Sequence, residues 1–244
     1  MRWGWLWLLG LSACATGRPL GAALDASARR YVPTTPPAAA RPVPATHLPG
    51  SHTRAPLPGQ RDTVVARAQH LVGKQRLEVD GKRYVAACNG LVEAAYHGMG
   101  MDLHRVARPG DNAVTALWRA SKQHGRIFKD APLPGDLVFF RDTYDVNRDA
   151  RANDGLTHVG LVESVDADGT VTVIHHVSRG VVRYQMTPSR PDERKDPVTG
   201  KVLNHALRGT GHGRASATTG QLFVAFGSLL SDHPPLADAS AVKR

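Results

Sequence analysis

Cysteine is almost absent. The chain has two in 244 residues, Cys14 and Cys88, so a scaffold stapled by several disulfides is excluded. Aromatic residues are few as well, at 6%. No Lys/Arg tract is interleaved with them, which argues against nucleic acid as a partner. Acidic side chains are outnumbered, 21 against 31 Lys and Arg, for a formal charge of +10. That balance suits an anionic polymer or surface without naming one. Long apolar runs are also missing. The stretch from Trp3 to Leu11 is too short to span a bilayer.

That stretch, preceded by Arg2, has the basic and apolar regions of an export signal. It ends in Leu11-Ser12-Ala13-Cys14, which resembles a bacterial lipobox, cleaved before a cysteine that then carries lipid. On this reading residues 1–13 are a lipoprotein signal peptide and Cys14 is the lipidation site, its acyl chains together anchoring the protein stably to a membrane. Ala15 in place of Asp resembles lipoproteins sorted to the outer membrane, so the expected location is the cell envelope, on the periplasmic face of that membrane. Cys88 is then an isolated thiol in an oxidising compartment. A Cys14–Cys88 disulfide is the competing account if processing does not occur.

Eight prolines lie between Pro33 and Pro58 with no sustained apolar period. Residues 14–60 therefore read as a Pro-rich disordered tether. The folded domain is expected over 61–230, followed by a loose tail at 231–244. Asp62 can cap a helix carrying Val64, Val65, Ala68, Leu71 and Val72, with Gly73 as terminator. A loop or hairpin turns at Asp80-Gly81. Leu91, Val92, Ala95, Tyr96 and Met99 recur at helical spacing after Cys88, and a further helix is expected from an Asp111 cap. Strands are predicted at Leu137–Phe140, Thr157–Val165, Thr170–His176, Val181–Met186 and Gln221–Phe226. Helices followed by turn-linked strands indicate an α+β domain with a mainly antiparallel sheet. Two insertions interrupt it, at 141–156 and 187–219, the second read as a polar surface excursion.

A cysteine at a helix entrance faces unpaired N–H groups and the positive end of the dipole, both favouring the thiolate. Such a nucleophile needs a base, and the base needs an orienting group. Of twelve histidines, His47 and His52 fall in the tether, His205 and His212 in the excursion, and His233 in the tail. His70, His97, His104 and His124 fall near helix ends. His158, His175 and His176 remain, all on strands. If Asp166-Ala167-Asp168-Gly169 forms a four-residue turn, His158 and His175 share a face and sit diagonally, while His176 points away. An odd-length loop or a bulge would exchange the two.

Three segments in order, Cys88-Asn89-Gly90-Leu91-Val92, Pro134-Gly135-Asp136-Leu137-Val138-Phe139-Phe140 and Thr157-His158-Val159-Gly160-Leu161-Val162, resemble the NlpC/P60 cysteine peptidases. The stretch from Val162-Glu163-Ser164-Val165 to Thr170-Val171-Thr172-Val173 resembles the related CHAP amidases. The resemblance covers roughly residues 62 to 186. It implies a papain-like α+β core that hydrolyses peptide or amide bonds of cell-wall peptidoglycan, with stem peptides as the substrate. It further implies Cys88 as nucleophile, His158 as base and His175 as the third polar group, with the Cys88 N–H as an oxyanion donor. Ala87 and Asn89 depart from the family's usual Asp-Cys-Ser-Gly, which alters the hydrogen bonds around the thiol. Tyr84 is the nearest candidate for the tyrosine this family often places near the oxyanion. Two alternatives stay open: a non-catalytic murein-binding lipoprotein on the same fold, and an acyl-transfer enzyme.

No cofactor or metal is implied. Asp145, Asn147 and Asp149, with Asn153, resemble the opening of a calcium loop of the dockerin or EF-hand type. Ala150 stands where that loop carries glycine, and Leu156 where it carries its last acidic ligand, so the loop is read as degenerate.

Overall fold

The computed structural model describes residues 59–230, apart from 101, 102, 104, 105, 125, 212 and 213. The expectations for the signal peptide, Cys14, nearly all of the tether and the tail lie outside the described residues. Among the described residues no helix is long and apolar enough to cross a membrane.

Helix α1 (Gln60–Leu71) begins at a Gly59 cap, three residues before the expected cap at Asp62. Asp62 lies inside its first turn, where a carboxylate complements the dipole rather than capping. Gly73, at φ 82°, lets the chain leave the helix as expected. Strands β1 (Leu77–Val79) and β2 (Lys82–Tyr84) form the small hairpin around Asp80-Gly81. Helix α2 (Cys88–Ala95) follows, then α3 (Ala113–His124). The cap of α3 is Asn112, whose Oδ1 accepts from Thr115 N–H at 2.8 Å. Asp111 instead accepts from Arg108 N–H and from the Arg119 guanidinium.

The remaining strands are β3 (Arg126–Phe128), β4 (Leu137–Arg141), β5 (Leu156–Val165), β6 (Val171–Val177), β7 (Gly180–Met186), β8 (Ala206–Arg208) and β9 (Ala217–Thr218). A short turn of helix, α4 (Thr219–Leu222), leads into β10 (Phe223–Ser228). The chain is α+β, and its main sheet is antiparallel in the order β3-β10-β4-β5-β6-β7.

Period-two alternation gives the sheet two apolar faces. Leu137, Phe139, Val159, Leu161 and Ile174 pack against Val64, Leu71, Leu91, Val92 and Leu117 of the helices. Val138, Phe140, Val162, Val173 and Met186 form a second core with Leu222 and Phe226. The Pro134-Gly135-Asp136 turn locks the helical layer onto the sheet. Asp136, fully buried, accepts from Leu133 N–H and pairs with Arg61 of α1 at 2.9 Å, while Tyr96 O–H donates to the Gly135 carbonyl.

The 187–219 segment is not the polar surface excursion that its composition suggests. Thr187, Leu203 and Asn204 are buried. Asn204 accepts from Thr187 N–H and donates to the carbonyls of Arg190 and Glu193, so its amide replaces water for three backbone groups. Its last part returns to the sheet, where His205 N–H donates to the Gln185 carbonyl.

Candidate active site

The first turn of α2 is left open. Ala87 is extended at φ −150° and supplies no side-chain cap, so the leading N–H groups face outward with Cys88. Gly90 makes this possible. A Cβ there would stand 1.9 Å from the Val85 carbonyl oxygen, so only glycine lets the preceding loop lie against the helix start. Asn89 turns its amide back to Glu93 at 3.1 Å, one helical turn on.

Cys88 is a half-buried free thiol. The N–H groups of Val159, Asn89 and Cys88 itself favour its anion, but burial outweighs them and raises the pKa above the ordinary thiol value. The expectation of a thiolate stabilised at rest by the helix end is therefore corrected: the resting group is the neutral thiol. A helix end lowers a thiol's pKa only while solvent or a counter-charge helps to carry the anion.

Strands β5 and β6 bring the histidines together by an unexpected route. The turn between Val165 and Val171 holds five residues, not four, which alone would put His158 and His175 on opposite faces. The ladder also slips by one residue between Val162 and Ser164, where Glu163 bulges out. The two departures cancel. Leu161 lies opposite Ile174 as the four-residue turn would require, and His158 shares a face with His175. The bulged Glu163 is held by Arg183 at 2.6 Å and Gln69 at 2.9 Å.

His158 Nε2 stands 2.8 Å from His175 Nδ1. His175 is 1% exposed and His158 8%. Burial, and then the neighbouring His176, bring the His158 pKa down to about 4. Burial, followed by His158, His205, Arg179 and His176, holds His175 well below the usual value. Both imidazoles are thus neutral near pH 7. With Nε2 engaged, the ring nitrogen of His158 left for another partner is Nδ1.

The pair lies on the sheet face that carries Phe140, whose ring centroid is 6.0 Å from that of His158. Cys88 packs with the core on the opposite face. Cys88 and His158 come to one cleft at the end of the sheet, where β5 begins. A cleft of about 580 Å³ opens there, lined by Cys88, Asn89, Asn112, Thr143, Tyr144, Thr157, His158 and Leu207. The Val159 N–H that favours the Cys88 anion belongs to the peptide unit joined to His158, so the sulfur stands beside that residue's backbone.

His176 also lines this cleft, through the edge opposite His175, with Nε2 turned to the Gln75 carbonyl at 3.4 Å. Alternation along β6 correctly separates it from His175, but a cleft at a strand end takes residues from both faces. Tyr84 is outside the cleft lining, and its hydroxyl is bonded to His97 Nδ1.

The 141–156 insertion forms one wall through Thr143 and Tyr144. The side chains that resemble calcium ligands turn onto their own loop. The Asp145 carboxylate accepts from the N–H groups of Asp149 and Ala150, and Asn147 Oδ1 also accepts from Asp149 N–H. Among the described residues, no group of three or more His, Cys, Asp or Glu is placed to hold a metal ion.

Residues 79–176 match the CHAP domain family. That stretch is similar to a CHAP domain. The match spans α2 with Cys88, the Pro134-Gly135-Asp136 turn, and both histidine strands as far as His176. The fold agrees with it, since helices on a mainly antiparallel sheet are the papain-like α+β arrangement of CHAP and the related NlpC/P60 peptidases. A CHAP domain points to hydrolase activity of the amidase type with cell-wall peptidoglycan as substrate. No curated protein and no solved structure is significantly similar to the chain.

Proposed function

We propose that this protein hydrolyses peptide or amide bonds of cell-wall peptidoglycan, with Cys88 as nucleophile, His158 as general base and His175 as the residue that orients the base. The observation that carries this reading is that His158, bonded through Nε2 to buried His175 Nδ1 at 2.8 Å, lines the same cleft as Cys88. Because both the thiol and the imidazole resist charge when buried, the proton moves from Sγ to Nδ1 of His158 as the sulfur attacks the carbonyl, not before. Each charge formed then offsets the other at short range in a site of low dielectric. The oxyanion faces the uncapped N–H groups at the start of α2. Collapse expels the amine with the proton from His158, leaving a thioester. Water, deprotonated by the same ring, releases the acid and restores the thiol.

The +10 charge suits an anionic murein substrate. The same reading places the protein in the cell envelope, held at the periplasmic face of the outer membrane by lipid on Cys14, with peptidoglycan stem peptides as partners, no nucleic acid and no cofactor. Digestion of purified sacculi tests the chemistry. Wild type should release new muropeptides, whereas Cys88→Ala should release none and His158→Ala should lose on the order of 10²–10⁴-fold in rate. Equal release by wild type and Cys88→Ala would overturn the mechanism. Labelling with radioactive palmitate, lost in Cys14→Ser, tests the anchor.

A further inference from the structure

His175 has a second ring nitrogen that the chemistry above does not use. Its Nε2 is buried and has no hydrogen-bond partner among the described residues. A buried polar nitrogen without a partner is costly. The cost differs between the two neutral tautomers, because an N–H against an electron-rich ring is favourable and a lone pair there is not.

An aromatic ring packs beside His175. Tyr184 of β7 lies T-shaped to it, at a centroid distance of 4.5 Å and 66° between planes. It is held from two further sides. Its hydroxyl accepts from Arg179 Nη2 at 2.7 Å. Its ring is stacked on His205, with centroids 4.6 Å apart and 8° between planes. His205 is itself fixed, since its Nδ1 accepts from Gln185 N–H at 2.9 Å and its own N–H donates to the Gln185 carbonyl. The titratable and charged groups around His175 are thus His158 from β5, His176 on the other face of β6, Tyr184 from β7, Arg179 from the β6–β7 turn and His205 from the 187–219 segment.

Resting on the hydrolase reading, we propose that Tyr184, clamped by His205 and Arg179, is a positioning residue that sets the tautomer of His175 and through it that of His158. With the Tyr184 ring against it, His175 carries its proton on Nε2. Its Nδ1 is then a lone pair, which accepts from His158 Nε2–H across the 2.8 Å bond. That leaves the lone pair of His158 on Nδ1, the nitrogen that must take the thiol proton. The opposite tautomer of His175 would put a proton on Nδ1, force His158 to accept through Nε2 and leave N–H on His158 Nδ1, where no base is available. The 187–219 segment, beyond the matched CHAP region, supplies the outermost ring of this relay.

The test reads histidine tautomers by nitrogen NMR on the full, histidine-labelled chain, alongside kinetics on sacculi. In wild type, His175 should be protonated on Nε2 and His158 on Nε2. Tyr184→Phe keeps the ring and should keep both tautomers. Tyr184→Leu removes the π face, should give a mixture at His175, and should lower kcat on the order of 10–100-fold with KM unchanged, a fraction of what a wholly wrong tautomer costs. His205→Ala loosens the clamp without touching Tyr184 and should shift the mixture the same way but less, which keeps the test open if Tyr184→Leu does not fold. Wild-type His175 protonated on Nδ1 would overturn the proposal, as would tautomers unmoved by both Tyr184→Leu and His205→Ala. The nitrogen signals do not depend on turnover, so an inactive wild type would sink the hydrolase reading and leave this result separately legible.

Discussion

Arg214 places Nη1 3.1 Å from a carboxylate oxygen of Asp154, and the two side chains are 6% and 1% exposed. The pair joins the 187–219 segment to the 141–156 insertion, across 60 residues of sequence. Arg214 Nη2 and Arg208 Nη1 both donate to the Asp142 carbonyl. The insertion carries Tyr144 and Thr143 at the mouth of the cleft, so one insertion clamps the wall formed by the other. Removing one member of a buried ion pair leaves the other charge without its partner, at a cost of about 3–5 kcal/mol. Arg214→Ala is therefore expected to lower the unfolding free energy by about that amount in urea titration. It should also open the Asp142–Asp154 stretch to limited proteolysis, with cleavage there faster than in wild type.

Gly90 stands where any side chain would collide with the Val85 carbonyl at 1.9 Å. That contact is backbone, with no flexible end to yield. Gly90→Ala must push the Val85–Ala87 loop away from α2 and carry Cys88 with it. The expected loss is about 1–3 kcal/mol of stability, together with a fall in kcat larger than the stability loss explains, because sub-ångström displacement of a nucleophile is costly. A crystal structure showing Cys88 unmoved with wild-type kcat would contradict this.

The helices are legible because Leu91, Val92, Ala95 and Tyr96 pack where helical spacing puts them. The shared face of His158 and His175 was legible from alternation, yet only because the five-residue turn and the Glu163 bulge offset each other. Neither has a local signal strong enough to be read, since Glu163 bulges for the sake of Arg183 and Gln69, which lie far along the chain. The 187–219 segment was misread as surface for a similar reason. Its polar groups look made for water, but Arg190 pairs with Glu193 and Asp196, and Asn204 is bonded inside. The resting state of Cys88 is not legible in the sequence, because its helix position is a sequence property and its burial is not.

Stability should depend on pH through the two histidines. An unfolded histidine titrates near 6.5, while His158 in the fold titrates at about 4 and His175 lies well below its usual value. Below pH 6.5 the unfolded chain takes up protons that the folded chain refuses, so acid favours unfolding. The stability is full above pH 6.5 and is lost as pH falls toward 4, by about 1 kcal/mol per pH unit for each histidine. Denaturant titrations at pH 7, 6 and 5 should show the loss. His175→Asn, which removes one of the groups, should flatten the slope between pH 6 and 5.

The thiol gives the complementary profile. Burial raises the Cys88 pKa against the pull of the Val159, Asn89 and Cys88 N–H groups. A resting thiolate–imidazolium pair would instead require His158 to be charged, which its descent to about 4 opposes. Alkylation by iodoacetamide should therefore accelerate only above the usual thiol range of about 8.5, with an inflection higher than that of free cysteine measured beside it. Protonating His158 below about pH 4 should leave the rate low, not raise it, because no anion is present to be revealed. An inflection near pH 4–6 would mean that the ion pair already exists at rest, and that attack begins from the thiolate instead of from the coupled transfer between Sγ and Nδ1 of His158.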